Sequence, residues 1–188
     1  QRGGAGSRMH YQYVIVGGGH AGAAAIKGIR AHDRDGSILL LSRENHPPYQ
    51  RPPLSKGLWS GKNTRDQLPI HGDGFYREQK VDLVLRREAV ELDPEHRRIW
   101  DDHGNTYDYG KLLLATGLRP RRLEIEGAES EGIHYYRTLE DYLFLSGYLP
   151  RFQHALILGS GFIGMEMAAA LQISGKEVTL LYPEEYPL

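Results

Sequence analysis

Apolar residues fall into two patterns along the chain. Short continuous runs stand at 13–16 (YVIV), 38–41 (ILLL), 112–114 (LLL) and 155–158 (ALIL). A strand apolar at successive positions is one covered on both faces, as in a parallel sheet. The first run leads into glycines, an alanine-rich stretch and the second run, so the segment reads as strand, tight turn, helix, strand. From residue 154 the same order recurs, in ALILGSGFIGMEMAAALQISGKEVTLLY. Between the two units, residues 57–79 are polar and read as loop with room for a helix. The stretch from 81 alternates in short segments separated by Asp-Pro and Asp-His-Gly-Asn turn signals. That spacing predicts an antiparallel meander followed by a buried strand over 111–114. YYRTLEDYLFLSGYL opens on Thr138-x-x-Asp141 and continues at helical spacing, which predicts a capped helix linking two domains.

The fold class is therefore α/β: a Rossmann-like domain, parallel sheet with antiparallel meander, over 11–148, then the first βαβ unit of a second Rossmann-like domain over 149–188. One βαβ unit cannot cover both its faces, so the sequence reads as part of a longer protein, with a missing C-terminal half or a partner chain expected to complete it. Residues 1–10 are small and polar up to Met9 and read as a flexible tail or expression remnant.

Composition narrows the chemistry. With 188 residues, 40% hydrophobic and 25% charged, the chain is of ordinary globular type, and a net charge of −1 gives no broad field for nucleic acid or an anionic membrane. The pairs Arg86/Arg87, Arg97/Arg98 and Arg121/Arg122 read as solvated faces. No cysteine is present, which excludes disulfides, thiolate metal sites, cysteine nucleophiles and a redox disulfide within this segment. The nine histidines show no ligand spacing, so no metal is expected. No apolar run approaches a membrane span and the start has no signal-like core, so a cytoplasmic protein is the default. GLWSGK is one residue short of a phosphate loop and lacks the following Ser or Thr.

The candidate chemistry lies in two glycine turns. Gly17, Gly19 and Gly22 stand at G-x-G-x-x-G spacing, as do Gly159, Gly161 and Gly164, each set between a strand and a helix. In such turns the first glycine permits the bend, the second lets a pyrophosphate approach the backbone, and the third lets helix and strand pack closely. The helix N-terminus receives the negative charge. Two such turns imply two dinucleotides, and hydride exchange between a nicotinamide and a flavin is the common chemistry that needs both.

VIVGGGHAG, PYQRPPLSK, LLLATGLRPR, RTLED and LILGSGFIGMEMAAAL, in that order, resemble the FAD-dependent pyridine-nucleotide oxidoreductases, in their ferredoxin-reductase-like and apoptosis-inducing-factor-like branch. The resemblance implies FAD at the first turn, with Gly17, Gly19, His20, Ala21, Gly22, Ala115, Thr116, Gly117 and Arg121 as contacts. It places Arg51 near the FAD phosphates or ribitol and Lys56 at the isoalloxazine edge, partnered by Glu166; Lys56 and Glu166 are the candidate catalytic pair. Pro52 and Pro53, between Arg51 and Lys56, would fix the backbone and limit the entropy lost in holding charge still. Val90 is a candidate backbone contact to adenine, or else a strand residue packing the meander. The second turn, with Gly159, Gly161, Phe162, Ile163 and Gly164, would take NAD.

Two positions depart from the family pattern. The acid expected after the second strand for the adenosine ribose is displaced by Arg43, which makes Glu44 the candidate. In the second unit Tyr182 holds that place, and Glu184 of YPEE becomes the candidate for the NAD ribose. No Arg or Lys follows Tyr182 to meet a 2′-phosphate, so NADH is favoured over NADPH. The activity implied is a flavoprotein passing hydride from NAD(P)H to FAD and electrons to a ferredoxin- or rubredoxin-like protein, a quinone or oxygen. The alternative is an apoptosis-inducing-factor-like FAD/NAD scaffold acting through partner contacts with little turnover.

Overall fold

In the computed structural model, which describes residues 6–187, the two opening apolar runs become neighbouring parallel strands. β1 (Arg8–Val16), α1 (His20–His32) and β2 (Ile38–Leu41) form the first βαβ unit, and all four β2 residues are buried. β3 (Val81–Val84), reached through the short helix α2 (Phe75–Glu78), pairs with β2 in parallel. On the other side of β1 lies β6 (Thr106–Leu114), also parallel, followed outward by β5 (Arg98–Asp101) and β4 (Ala89–Asp93). The order is β3-β2-β1-β6-β5-β4. Alternate residues of the central strands serve opposite faces. Val14, Val16, Leu39 and Leu41 join Ile99 and Tyr107 on one face; Ile15, Ile38 and Leu40 meet Ile26 of α1 on the other. Each such side chain contributes roughly 1.5–3 kcal/mol, and both faces of β1 and β2 contribute, so these strands are the main source of stability.

Several expectations are corrected. β1 begins at Arg8, inside the stretch read as a tail: Thr106 donates its N–H to the Ser7 carbonyl, and Arg8 meets Asp108 at 2.6 Å. Residues 1–5 lie outside the described residues. Val81–Val84 belongs to the parallel sheet, not the meander, because its apolar residues face the same layers as β2. The strand over 111–114 forms but is not buried, with Leu113 41% and Leu114 56% exposed. Past the pairing of β5 with residues 106–108, this half of β6 has a strand partner on one edge alone among the described residues. The polar 57–79 stretch supplies only a 3₁₀ turn at Arg65–Gln67 and the single turn of α2.

One buried ion anchors the meander. Asp101, with no side-chain exposure, accepts hydrogen bonds from the backbone N–H groups of His103 and Asn105, from Asn105 Nδ2 and from the Tyr107 hydroxyl, each at 2.9 Å. Burial alone would raise its pKa, but these donors outweigh it and hold the carboxyl below the usual value. A depressed folded pKa means the stabilisation is full above the unfolded value of about 4 and is lost as pH falls through the folded one. Asp101→Ala is expected to cost about 3 kcal/mol at neutral pH, and less below pH 4, because it strands four donors. Urea midpoints of both proteins at the two pH values check this.

The described residues divide into two compact units: 6–50 with Pro69–Gly117, which contains the six-stranded sheet, and Arg51–Leu68 with 118–187. The proline segment, read as part of the first domain, thus clusters with the second unit, because its hydrogen bonds run to residues 136–166. In that unit β7 (His154–Leu158), α4 (Phe162–Ile173) and β8 (Glu177–Leu181) form a parallel βαβ. Met167, Ala170 and Leu171 of α4 are buried, while Leu156, Leu158 and Leu181 stay exposed. Helix α3 (Leu139–Tyr148) starts as expected: Thr138 accepts from the Asp141 N–H and Asp141 accepts from the Thr138 N–H, a reciprocal cap worth about 1 kcal/mol.

Candidate functional site

The two glycine turns share one geometry. Gly17 and Gly159 stand at φ of +127° and +107°, a region closed to residues with a Cβ, and each donates its N–H to the last residue of the neighbouring strand, Leu41 or Leu181, at 2.9 Å. A Cβ on Gly22 would lie on the Gly17 carbonyl oxygen, and one on Gly164 on that of Gly159, so the third glycines are fixed by close packing of backbone on backbone. Gly19 and Gly161, the N-caps of α1 and α4, face open space in extended conformation.

The helix starts decide what that space suits. Neither α1 nor α4 has a side-chain cap or an acidic residue in its first turn, whereas α3 carries Glu140 and Asp141 there and is capped by its own side chains. The first N–H groups of a helix have no intrahelical acceptor and carry about half a positive charge between them. In α3 the protein satisfies that charge itself. In α1 and α4 no side chain does so, and the glycine backbone leaves room for an anion to approach.

Around the first turn, the C-terminal ends of β1, β2 and β6 lie level, since Val16 is in register with Leu41 and with Leu114. His20 and Ala21 are exposed at the start of α1, and Ala115 N–H donates to the Val16 carbonyl ahead of exposed Thr116 and Gly117. Glu44 accepts from the Tyr49 hydroxyl at 2.5 Å, while Arg43 is exposed. The Glu44 and Ser42 carbonyls take the N–H groups of Arg86 and Arg87, which brings the start of β4 toward the same edge. Val90 there is 60% exposed at a bulge, so it does not pack the meander. The contact to adenine proposed for it stays compatible with that exposure.

In the second unit, the proline segment forms a 3₁₀ turn, Pro52–Ser55, pinned from several sides. The Leu54 carbonyl accepts from Trp59 Nε1 at 2.7 Å and from the Tyr136 hydroxyl. Burial pushes the Tyr136 pKa up, so it remains a donor at physiological pH. Arg51 donates to the Arg137 carbonyl at 3.3 Å. Just after the turn, Lys56 Nζ lies 3.1 Å from Oε1 of Glu166, in the second turn of α4. With the lysine side chain 59% exposed, such a pair is worth at most about 1 kcal/mol, so it positions charge more than it stabilises the fold. Phe162 and Ile163, at the start of α4, are 77% and 49% exposed. Glu184 meets the buried Ser160 hydroxyl at 3.3 Å, which draws it to the second glycine turn; Arg121 is exposed.

Sequence reasoning missed Ser55, Trp59, Tyr136, Ser160 and Tyr49. Ser55 lay within the quoted RPPLSK, and two adjacent polar residues closing a proline turn are a signal that could have marked it. Tyr136 acts across 82 residues, a separation that no local pattern encodes; Tyr49 is five residues from Glu44, in an irregular loop that no periodic signal shapes. Among the described residues no side-chain cluster could hold a metal, and no helix is long and apolar enough to cross a membrane.

The chain is similar to several known proteins. Rubredoxin-NAD(+) reductase of Pseudomonas putida is 38% identical over 89% of this chain and 44% of its own length. The crystal structure of a covalent putidaredoxin reductase–putidaredoxin complex superposes with a TM-score of 0.84 at 31% identity, covering 98% of this chain and 44% of that one. Apoptosis-inducing factor 1, mitochondrial, of Dictyostelium discoideum is 30% identical over 94% of this chain and 36% of its length. The chain thus spans under half of each of these relatives. The family model described as pyridine nucleotide-disulphide oxidoreductase matches residues 11–188, and the chain belongs to that family.

Proposed function

We propose that this chain is the FAD-binding part, residues 11–148, and the beginning of the NAD(P)H-binding domain, 149–188, of a flavoprotein reductase that delivers electrons to a small iron–sulfur protein. The observation that carries the reading is the pair of matched glycine turns, each opening a helix with no side-chain cap and no acidic residue in its first turn, in contrast to a third helix that caps itself. The residues fit the two groups: a pyrophosphate at each turn needs bare backbone and unopposed N–H donors, and both are present. When bound, FAD and the nicotinamide supply hydride acceptor and donor. The chain's own part is to bind and to orient. Glu44, held by Tyr49, and Glu184, drawn in by Ser160, are carboxylates suited to ribose hydroxyls. A carboxylate at Glu184 would repel a 2′-phosphate, which favours NADH. Lys56, steered by Glu166, is the cation set to stabilise negative charge gained by the flavin.

A reductase is favoured over the scaffold alternative because the relative with the higher identity is a named reductase, and it bears rubredoxin in its name. Steady-state NADH oxidation by the full-length protein with added rubredoxin or a ferredoxin tests the choice. Rapid reduction of the acceptor is the expected result. Slow turnover with a long-lived complex with NADH would instead support the scaffold.

A further inference from the structure

The proline turn directs two side chains to one carboxylate. Glu166 receives the Lys56 ammonium on Oε1 at 3.1 Å and the Ser55 hydroxyl on Oε2 at 2.5 Å. The two donors differ in what they can hold. Lys56 is a long, mostly exposed chain whose ion pair is screened by water and opposed by lost rotamer entropy, so it is a weak tether. Ser55 is 4% exposed, has a single side-chain torsion, and donates a short hydrogen bond to an ionised acceptor, the stronger class of contact. It is also the last residue of the 3₁₀ turn, whose Leu54 carbonyl is clamped by Trp59 and Tyr136. Rigidity therefore passes from the clamped turn to Ser55, from Ser55 to Glu166, and only then to Lys56.

We propose that Ser55 is a positioning residue: its hydroxyl fixes the Glu166 carboxylate so that the opposite oxygen presents a set acceptor to Lys56. The consequence for electron transfer rests on the reading of Lys56 and Glu166 as the flavin-side pair, but the positioning does not. Without the hydroxyl, Glu166 gains rotamers, and Lys56 spends more time extended into water.

Acylation of lysines in the full-length protein by a mild amine reagent, with site rates read by mass spectrometry, tests the positioning without any cofactor. Ser55→Ala is expected to raise the Lys56 rate about fivefold, toward the level of Glu166→Gln, with exposed Lys62 unchanged as an internal standard. Ser55→Thr should stay near wild type. Ser55→Cys keeps the volume and weakens the donor, so it reads the same hydrogen bond if the alanine variant fails to fold. A Lys56 rate in Ser55→Ala or Ser55→Cys equal to wild type overturns the inference, as does a Glu166→Gln variant with no effect. In the flavin-loaded protein the midpoint potential should shift in the same direction in Ser55→Ala as in Glu166→Gln. A wild-type protein that holds no flavin would refute the functional reading while leaving the acylation result to decide the role of Ser55.

Discussion

Gly22→Val in the full-length protein is expected to abolish flavin retention, whereas Gly164→Val is expected to keep flavin and lose NADH binding. Both added side chains would collide with a backbone carbonyl oxygen, that of Gly17 or of Gly159, and a strand–turn–helix junction cannot yield as a flexible side chain can. The cost falls at or above the upper end of the roughly 1–3 kcal/mol typical of overpacking, and it displaces the helix N-terminus proposed to receive the phosphate. Gly28→Ala is the control in the same helix. A Cβ at Gly28 meets open space, so this change should stabilise by about 0.5–1 kcal/mol and leave flavin bound. Retained flavin absorbance after gel filtration, and NADH titration of what remains, measure the two losses separately.

Lys56→Met should retain flavin but slow its reduction by NADH about 100-fold, the scale on which one preorganised charge partner acts. The exposed ion pair with Glu166 contributes too little to stability for a folding defect to mimic this. Anaerobic stopped-flow mixing with NADH gives the rate, and a urea midpoint within about 1 kcal/mol of wild type confirms that the fold is intact. An unchanged rate would remove Lys56 from the flavin site.

How far the sequence could be read follows from which signals are local. Each glycine turn is fixed within a single βαβ unit, so spacing alone located both, and the cap at Thr138 is likewise written in four consecutive residues. The continuous run ILLL gave a fully buried strand. The similar run at the end of β6 did not, because burial depends on what covers a strand, and that is not encoded in the strand itself. The same limit explains Val81–Val84: its alternation suited a meander, yet its partner is the parallel β2, chosen by packing over α2 and α1. At the site, the charged residues were legible from the proline motif. Their supports were not, since Ser55 reaches a residue 111 positions away and Tyr136 clamps a carbonyl 82 positions back.

The central claim is that one protein holds FAD at the first turn and accepts NADH at the second. Anaerobic titration of the FAD-loaded full-length protein with NADH, followed in the visible flavin band, tests it most directly. Flavin is expected to survive removal of excess cofactor and to bleach in proportion to added NADH. A protein that retains no flavin, or whose bound flavin stays oxidised under excess NADH, would contradict it.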